Sequence, residues 1–287
     1  MQREAKLLIA GSTTPRAPWS ATSLALRRRQ PRISLAALAI ATLLCARTTA
    51  LAESPKVSIA AAANLVYALD ALNAEFKRSS PEVILTATTG ASGSLFAQLS
   101  HGAPFDVFMS ADTDYPKQIV AAGLGDPSTL RSFAIGRLVL WTTRTDVDVS
   151  DLVGAVRAAA VRKIAIAQPK TAPYGRAAQA VLEKLESWQQ VRPKLVFGES
   201  ISQTAQFIET GNADLGFVAM SLVVSPRLAN RGRWQEVPAR LYGDVSLEQA
   251  LVLTRRGAAN PAARQYAEFL GSDAAKQILR KFGYGVP

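Results

Sequence analysis

Downstream of residue 56 the chain alternates short apolar runs with stretches in which apolar residues recur every three to four positions. Residues 57–63 and 83–89 read as strands, and between them Leu65, Leu69, Leu72 and Phe76 mark one stripe of a helix. The alternation continues with a short helix at 94–100 and strands at 105–111, 137–143 and 163–167. A helix at 175–188 then carries Ala178, Val181, Leu182 and Leu185 on one face. The strand at 137–143 reads as a segment crossing between lobes, with Trp141 as packing. Near the end, Pro261 suits a first helical turn, Tyr266, Phe269 and Leu270 follow, and Gly271 stops the helix. Ser272 is placed to cap another helix carrying Ile278, Leu279 and Phe282. Strands and helices in alternation predict an α/β chain of mostly parallel sheets flanked by helices. Two lobes are expected, lobe 1 from 53–135 and 244–287 and lobe 2 from 136–243, with crossings near 133–136 and 241–245.

The first 52 residues break this pattern. Arg27, Arg28, Arg29 and Arg32 precede an apolar run at 33–46 that is too short to span a bilayer comfortably, and Arg47 follows it. Ala50-Leu51-Ala52 is then a small-x-small cleavage pattern, so residues 1–52 are expected to be a signal peptide cut after Ala52, giving a mature chain that starts at Glu53 in the periplasm. The arginine run is only a loose twin-arginine match, and Leu44 before Cys45 makes a poor lipoprotein site.

Removing that leader changes the charge picture. The whole chain has 33 Lys and Arg against 22 Asp and Glu, a formal +11, but eight of the basic residues and one acidic residue lie in 1–52. The mature chain therefore has 25 basic and 21 acidic residues, about +4, and no basic stripe interleaved with aromatics. Nucleic acid is excluded as a partner on that ground. Cys45 is the one cysteine and leaves with the leader, which excludes a disulfide, a thiolate ligand and a cysteine nucleophile.

Candidate chemistry sits where strands pass into helices. Ala63-Asn64 before Leu65, Gly90-Ala91-Ser92-Gly93-Ser94 before Leu95, Pro173-Tyr174-Gly175 before Arg176, and Glu199-Ser200-Ile201-Ser202 share one arrangement. A helix start offers unpaired backbone N–H groups and the positive end of a dipole, and ligands of open α/β sheets bind at the carboxyl ends of strands. Four such starts facing one cleft can surround a small dianion with neutral donors. Each turn alone has an ordinary structural explanation, since Ser, Asn and Gly cap helices and form turns everywhere. The glycine-serine cluster at 90–94 matches neither a Walker loop nor the dinucleotide fingerprint. His101, the single histidine, reads as a surface loop residue. Asp106, Asp112 and Asp114 form a carboxylate run, but Asp106 falls in a strand pattern and the other two read as caps, so no metal site and no cofactor are expected.

The chain resembles the periplasmic molybdate-binding proteins of ABC transporters. The resemblance is carried by the stretch from Val57 through Ala63-Asn64-Leu65, by Gly90-Ala91-Ser92-Gly93-Ser94-Leu95-Phe96-Ala97-Gln98-Leu99, and most specifically by His101-Gly102-Ala103-Pro104-Phe105-Asp106-Val107-Phe108-Met109-Ser110-Ala111-Asp112, which looks like the signature GAPxDxFxSAD. Weaker echoes are 212–218 and 274–284. The resemblance implies a two-lobed type II binding-protein fold closing over one oxyanion, molybdate or tungstate, with ligand positions falling on Asn64, Ser92, Tyr174 and Ile201, the last through its backbone only. One branch of that family has serine at the first position, a small residue at the third and a tyrosine near Ala219; Asn64, Tyr174 and Ala219 are similar to a second branch. It also implies delivery to an ABC permease with its ATPase, by a monomer that is not an enzyme. The alternatives are a binding protein for another, sulfate-like oxyanion, a signalling module without a transporter, and an exported serine hydrolase using Ser92, for which only His101 is on offer as base.

Overall fold

The structure, a computed structural model, describes residues 54–287. The expected leader at 1–52, with its cut after Ala52, lies outside the described residues. One five-stranded sheet is built from β1 (Lys56–Ala62), β2 (Ile84–Gly90), β3 (Val107–Ser110), β4 (Arg131–Ile135) and β10 (Glu248–Leu253), in the order β2-β1-β3-β10-β4. The other contains β5 (Leu138–Thr142), β6 (Ile164–Ala167), β7 (Leu195–Gly198), β8 (Leu215–Ala219) and β9 (Arg233–Glu236), in the order β7-β6-β8-β5-β9. The helices are α1 (Val66–Ser79), α2 (Ser92–Ser100), α3 (Asp114–Ala121), α4 (Leu152–Arg157), α5 (Pro173–Lys184), α6 (Trp188–Val191), α7 (Ile201–Glu209), α8 (Met220–Val223), α9 (Arg255–Ala258), α10 (Pro261–Phe269) and α11 (Asp273–Lys281).

This is a two-lobed α/β fold in which both sheets are mixed. β1 runs parallel to β2 and β3, and β6 runs parallel to β7 and β8, as the alternation of strands and helices predicts. The other four strand pairs are antiparallel and involve β10 with β3 and β4 and β5 with β8 and β9. β5 and β10 are the strands that enter one sheet straight from the other. β5 follows β4 after Gly136 and Arg137 alone, so no helical crossover obliges either strand to run parallel. Trp141 lies within β5, fully buried, and donates its indole N–H to the Arg231 carbonyl at 2.7 Å.

Strand period two decides which core each side chain joins. In the first sheet Val57, Ile59 and Ala61 pack with Leu72, Phe76, Leu251 and Tyr266 on one face, while Ala60, Phe108 and Val252 pack with Leu95 and Leu99 on the other. Leu138, Leu140, Ile164, Ile166 and Phe217 centre the second core. The tail follows its sequence: Asn260 Oδ1 caps α10 at the Ala262 amide, 3.1 Å, with Pro261 in the first turn, and Ser272 Oγ caps α11 at the Ala275 amide, 3.2 Å. The helix expected at 175–188 is two helices. α5 ends at Lys184, Glu186 takes a φ of 51°, and the Arg157 guanidinium satisfies the Leu185 and Glu186 carbonyls at 2.9 and 3.2 Å, so the chain turns there and restarts at Trp188.

Candidate functional site

β1, β2, β6 and β7 each end at a turn into a helix, and those four turns border one enclosed space. Asn64 lies in the 3-10 turn Ala63–Leu65 that leads into α1, Ser92 is the first residue of α2, Tyr174 the second of α5 and Ile201 the first of α7. The structure thus brings together all four residues that the sequence singled out, with Ala62, Ala63, Gly90, Ala91, Ala111, Ala172 and Pro173 completing the wall. The space is small, about 10 Å³ to a water-sized sphere, roughly the room that one water needs, so it suits only a compact group of atoms. No lining residue carries a formal charge. The Gly93, Gly175 and Gln203 amides are taken by Thr171, Ala172 and Ser200, which leaves the amides of Ser92, Tyr174 and Ile201 at the starts of α2, α5 and α7 to meet a ligand, with helix dipoles instead of cations.

The hydroxyls on this wall are oriented as donors. Ser92 Oγ accepts the Ala111 amide at 3.0 Å, and Tyr174 Oη accepts Gln249 Nε2 at 3.3 Å. Each oxygen has a lone pair engaged by a protein N–H, which leaves its own proton available to the cavity. Burial holds the Tyr174 phenol well above its ordinary range, so it remains a donor through neutral pH. Asn64 behaves differently. Its Nδ2 donates to Gln249 Oε1 at 3.0 Å and to Tyr284 Oη at 2.8 Å, and its Oδ1 is buried without a hydrogen-bond partner. Its carbonyl accepts Ser221 Oγ at 2.8 Å and Tyr284 Oη at 2.9 Å. With both amide hydrogens committed, Asn64 offers the cavity its backbone N–H.

The two halves of the wall are clamped together beside the cavity. Gly93 N donates to the Thr171 carbonyl at 2.8 Å, and a Cβ at Gly93 would come within 2.5 Å of Tyr115 Oη and 2.9 Å of Thr171 O. The glycine is required here for the close approach of the two chain segments. Arg176 Nη2 reaches Asp112 Oδ2 at 2.5 Å, and its guanidinium lies 5.6 Å over the Tyr115 ring. Asp112 also accepts Ser110 Oγ at 2.9 Å and the Tyr115 amide at 3.3 Å, the capping role that its position predicts.

The carboxylates of the 101–112 stretch prove to be framework. Asp106 sits just before β3, 1% exposed, and accepts the Ser58 amide at 2.8 Å and Arg256 Nε at 2.9 Å, tying β1 to α9. Asp114 is the first residue of α3. Among the described residues no three His, Cys, Asp or Glu side chains are grouped to hold a metal ion. His101 caps the far end of α2, exposed, with Nδ1 2.7 Å from the Ala97 carbonyl. Ala219 ends β8 and is absent from the cavity wall. Gln249 and Tyr284 are the polar residues that the sequence reading passed over. A glutamine directly ahead of the apolar run Ala250–Leu253 in β10 was the available signal, because a wholly buried amide demands partners.

Comparison with known proteins agrees with this geometry. The family model described as bacterial extracellular solute-binding protein matches residues 57–285. The molybdate-binding protein ModA of Rhodobacter capsulatus is 40% identical over 233 residues, covering 81% of this chain and 89% of that protein. ModA of Azotobacter vinelandii is 35% identical over 235 residues, 82% and 92% of the two chains. The solved structure of the Azotobacter vinelandii periplasmic molybdate-binding protein superposes with a TM-score of 0.76 at 29% identity, covering 80% of this chain and 99% of that one. Each of these is, by its description, a protein that binds a solute rather than an enzyme. The chain belongs to the bacterial extracellular solute-binding proteins and, within them, to the family of the molybdate-binding proteins.

Proposed function

We propose that this protein captures molybdate or tungstate in the cavity bordered by Asn64, Ser92, Tyr174 and Ile201 and delivers it to an ABC importer made of a permease and its ATPase. In this scheme residues 53–135 with 244–287 form lobe 1, residues 136–243 form lobe 2, and the leader 1–52 is cleaved after Ala52 to release a periplasmic monomer. The observation that carries the proposal is that Ser92 and Tyr174 line a small space without charged residues and have their oxygens engaged by protein N–H groups, which leaves their protons free to be donated. Stripping water from a dianion is prohibitive unless many donors replace it, and hydrogen bonds to a charged acceptor are the strong kind. Neutral donors cannot tell one dianion from another by charge. Molybdate and tungstate are therefore to be distinguished from smaller sulfate by cavity size.

A hydrolase using Ser92 finds no support in the geometry. His101, the sole histidine, sits nine residues further along the same helix, about 13 Å away at 1.5 Å per residue. Calorimetric titration of the exported protein with molybdate, tungstate, sulfate and phosphate tests the proposal. Micromolar or tighter binding of the first two, little heat from the others and no effect of excess chelator are expected. Equal affinity for sulfate would move the assignment to another oxyanion, and no heat with any of the four would overturn it.

A further inference from the structure

Gln249 hydrogen-bonds two of the cavity's polar residues at once. It is 0% exposed, lies at the start of β10, and spans from Asn64 in the first sheet's turn to Tyr174 on α5. The backbone is shaped around it. The register of β10 against β4 shifts between Gln249 and Ala250, so that Gln249 faces Ala134 while Ala250 faces Ser132, the kind of irregularity that re-aims a side chain. Gly136, in the link from β4 to β5, leaves the room: a Cβ there would come within 2.2 Å of Tyr174 Oη and 2.8 Å of Gln249 Nε2.

A primary amide has one accepting end and one donating end, so fixing either end fixes the other. Tyr284 donates its proton to the Asn64 carbonyl and therefore receives an Asn64 amide hydrogen. The second Asn64 amide hydrogen goes to Gln249 Oε1, which turns Gln249 Nε2 toward Tyr174 Oη. Tyr174 then holds an N–H on its oxygen and directs its own proton into the cavity. Turned end for end, Gln249 would present Oε1 to the phenol and draw that proton away from the cavity. The geometry points to Gln249 as a positioning residue for oxyanion binding: it sets the polarity of the chain Tyr284, Asn64, Gln249, Tyr174, so that the last hydroxyl donates to the ligand. Asn64 serves as a relay in this chain, with its side-chain amide turned toward Gln249 and Tyr284. Successive bonds running in one direction polarise one another, which strengthens the terminal donor.

This inference rests on the proposed oxyanion site, and its test separates the two. Molybdate affinity is measured by calorimetry, with thermal melting as a folding check, for the unaltered protein, Ser92→Ala, Tyr174→Phe, Gln249→Leu, Gln249→Leu with Tyr174→Phe, and Gln249→Glu. Tyr174→Phe is expected to lose affinity about tenfold or more. Gln249→Leu should lose a large part of that, and the double variant should be little worse than Tyr174→Phe alone, because both remove the same donor. Gln249→Glu offers only acceptors when ionised and should bind weakly, then recover as the pH falls and the protonated carboxyl again offers one donor and one acceptor. The titratable groups beside this row of hydrogen bonds, Tyr174, Tyr242 and Tyr284, are phenols whose titration burial raises, so the unaltered protein should be flat over the same interval. Independent losses that multiply in the double variant, or a Gln249→Glu protein whose affinity follows the unaltered protein at every pH, would overturn the positioning role. Should Gln249→Glu fail to melt cooperatively, the leucine cycle alone decides. Unchanged affinity in both Ser92→Ala and Tyr174→Phe would instead sink the site itself.

Discussion

Ser92 and Tyr174 present the same chemical group to one cavity, but the protein arms them in different ways. Ser92 has its oxygen filled by the Ala111 amide, a backbone group on the turn after β3, in the sheet that also carries Ser92. Tyr174 has its oxygen filled by Gln249, a side chain from the opposite sheet. The first donor is complete within one half of the wall. The second is complete only when the two halves meet. If the two halves part to admit a ligand, Ser92 keeps its partner in the open state, whereas the Tyr174 donor is assembled only when they close. Such a division assigns Ser92 to capture and Tyr174 to retention, and it can be broken or sharpened by substitution.

The largest effect is expected at Ser92. Ser92→Asp places a carboxylate beside a buried dianion and, while ionised, offers no proton, so molybdate affinity should fall by well over a hundredfold. Ser92→Ala removes one charge-assisted bond and leaves a ligand oxygen unmatched, a loss of about 1.5 to 3 kcal/mol or ten- to a hundredfold. If Ser92 served only as part of a helix start, Ser92→Ala would lower the melting temperature slightly and leave affinity alone. Calorimetry and melting on the same samples separate the two outcomes.

Tyr174→Phe comes next, with a loss of about tenfold or somewhat more. If the phenol is a closing donor, that loss belongs to dissociation; stopped-flow traces should show a faster off-rate and an on-rate close to that of the unaltered protein. Equal changes in both rates would erase the contrast with Ser92. The protonated phenol is the donating form and burial raises its titration, so affinity should hold until the pH passes above the ordinary tyrosine range of about 10.

How far these residues could be read from the sequence depended on whether their signal was local. Strand-to-helix turns are local, and apolar periodicity with Gly, Ser and Pro at the boundaries located all four that converge here. The α10 and α11 caps at Asn260 and Ser272 belong to the same class. Strand direction is a different matter. The crossings were expected near 133–136 and 241–245, but nothing in the runs that became β5 and β10 says that a strand arriving from the other sheet runs antiparallel to its neighbours. β9 is an edge strand of Arg233, Trp234, Gln235 and Glu236 with almost no buried face, and it left no apolar pattern to find. Polar partnerships were the least legible. Asn64 and Gln249 are 185 positions apart, and Asn64 and Tyr284 are 220 apart, so no spacing rule connects them. The hydrogen bonds from the Asn64 side chain to these two residues left no trace in its local sequence for that reason.

Arg176→Ala probes closure without touching the cavity. Arg176 pairs with an Asp112 carboxylate that is almost fully buried and has two other hydrogen bonds, while the guanidinium side chain is 32% exposed. Solvent screening on the arginine side keeps the loss below the several kcal/mol of a fully buried pair, so about a tenfold fall in affinity is expected. It should act by lowering the population of the closed state, and so reduce apparent affinity by the same factor. Combined with Tyr174→Phe it should be less than multiplicative, since a phenol that closure no longer assembles has less to lose. Combined with Ser92→Ala it should multiply, because the Ser92 donor stands without closure.

The smallest effect belongs to His101→Ala, and it marks how far along α2 the functional contrast extends. Ser92 opens that helix, where amides lack acceptors and the dipole favours an anion. His101 closes it nine residues later, where the ring lies exposed and bonds the Ala97 carbonyl. A positively charged imidazole at a helix C-terminus contributes at most about 1 kcal/mol at an exposed site, and salt screens it. The expected outcome is therefore a slight fall in melting temperature, visible at low ionic strength, with oxyanion affinity and both rate constants unchanged. A tenfold change in affinity from this substitution would mean that the two ends of α2 are coupled, and it would dismiss the assignment of capture to the Ser92 turn alone.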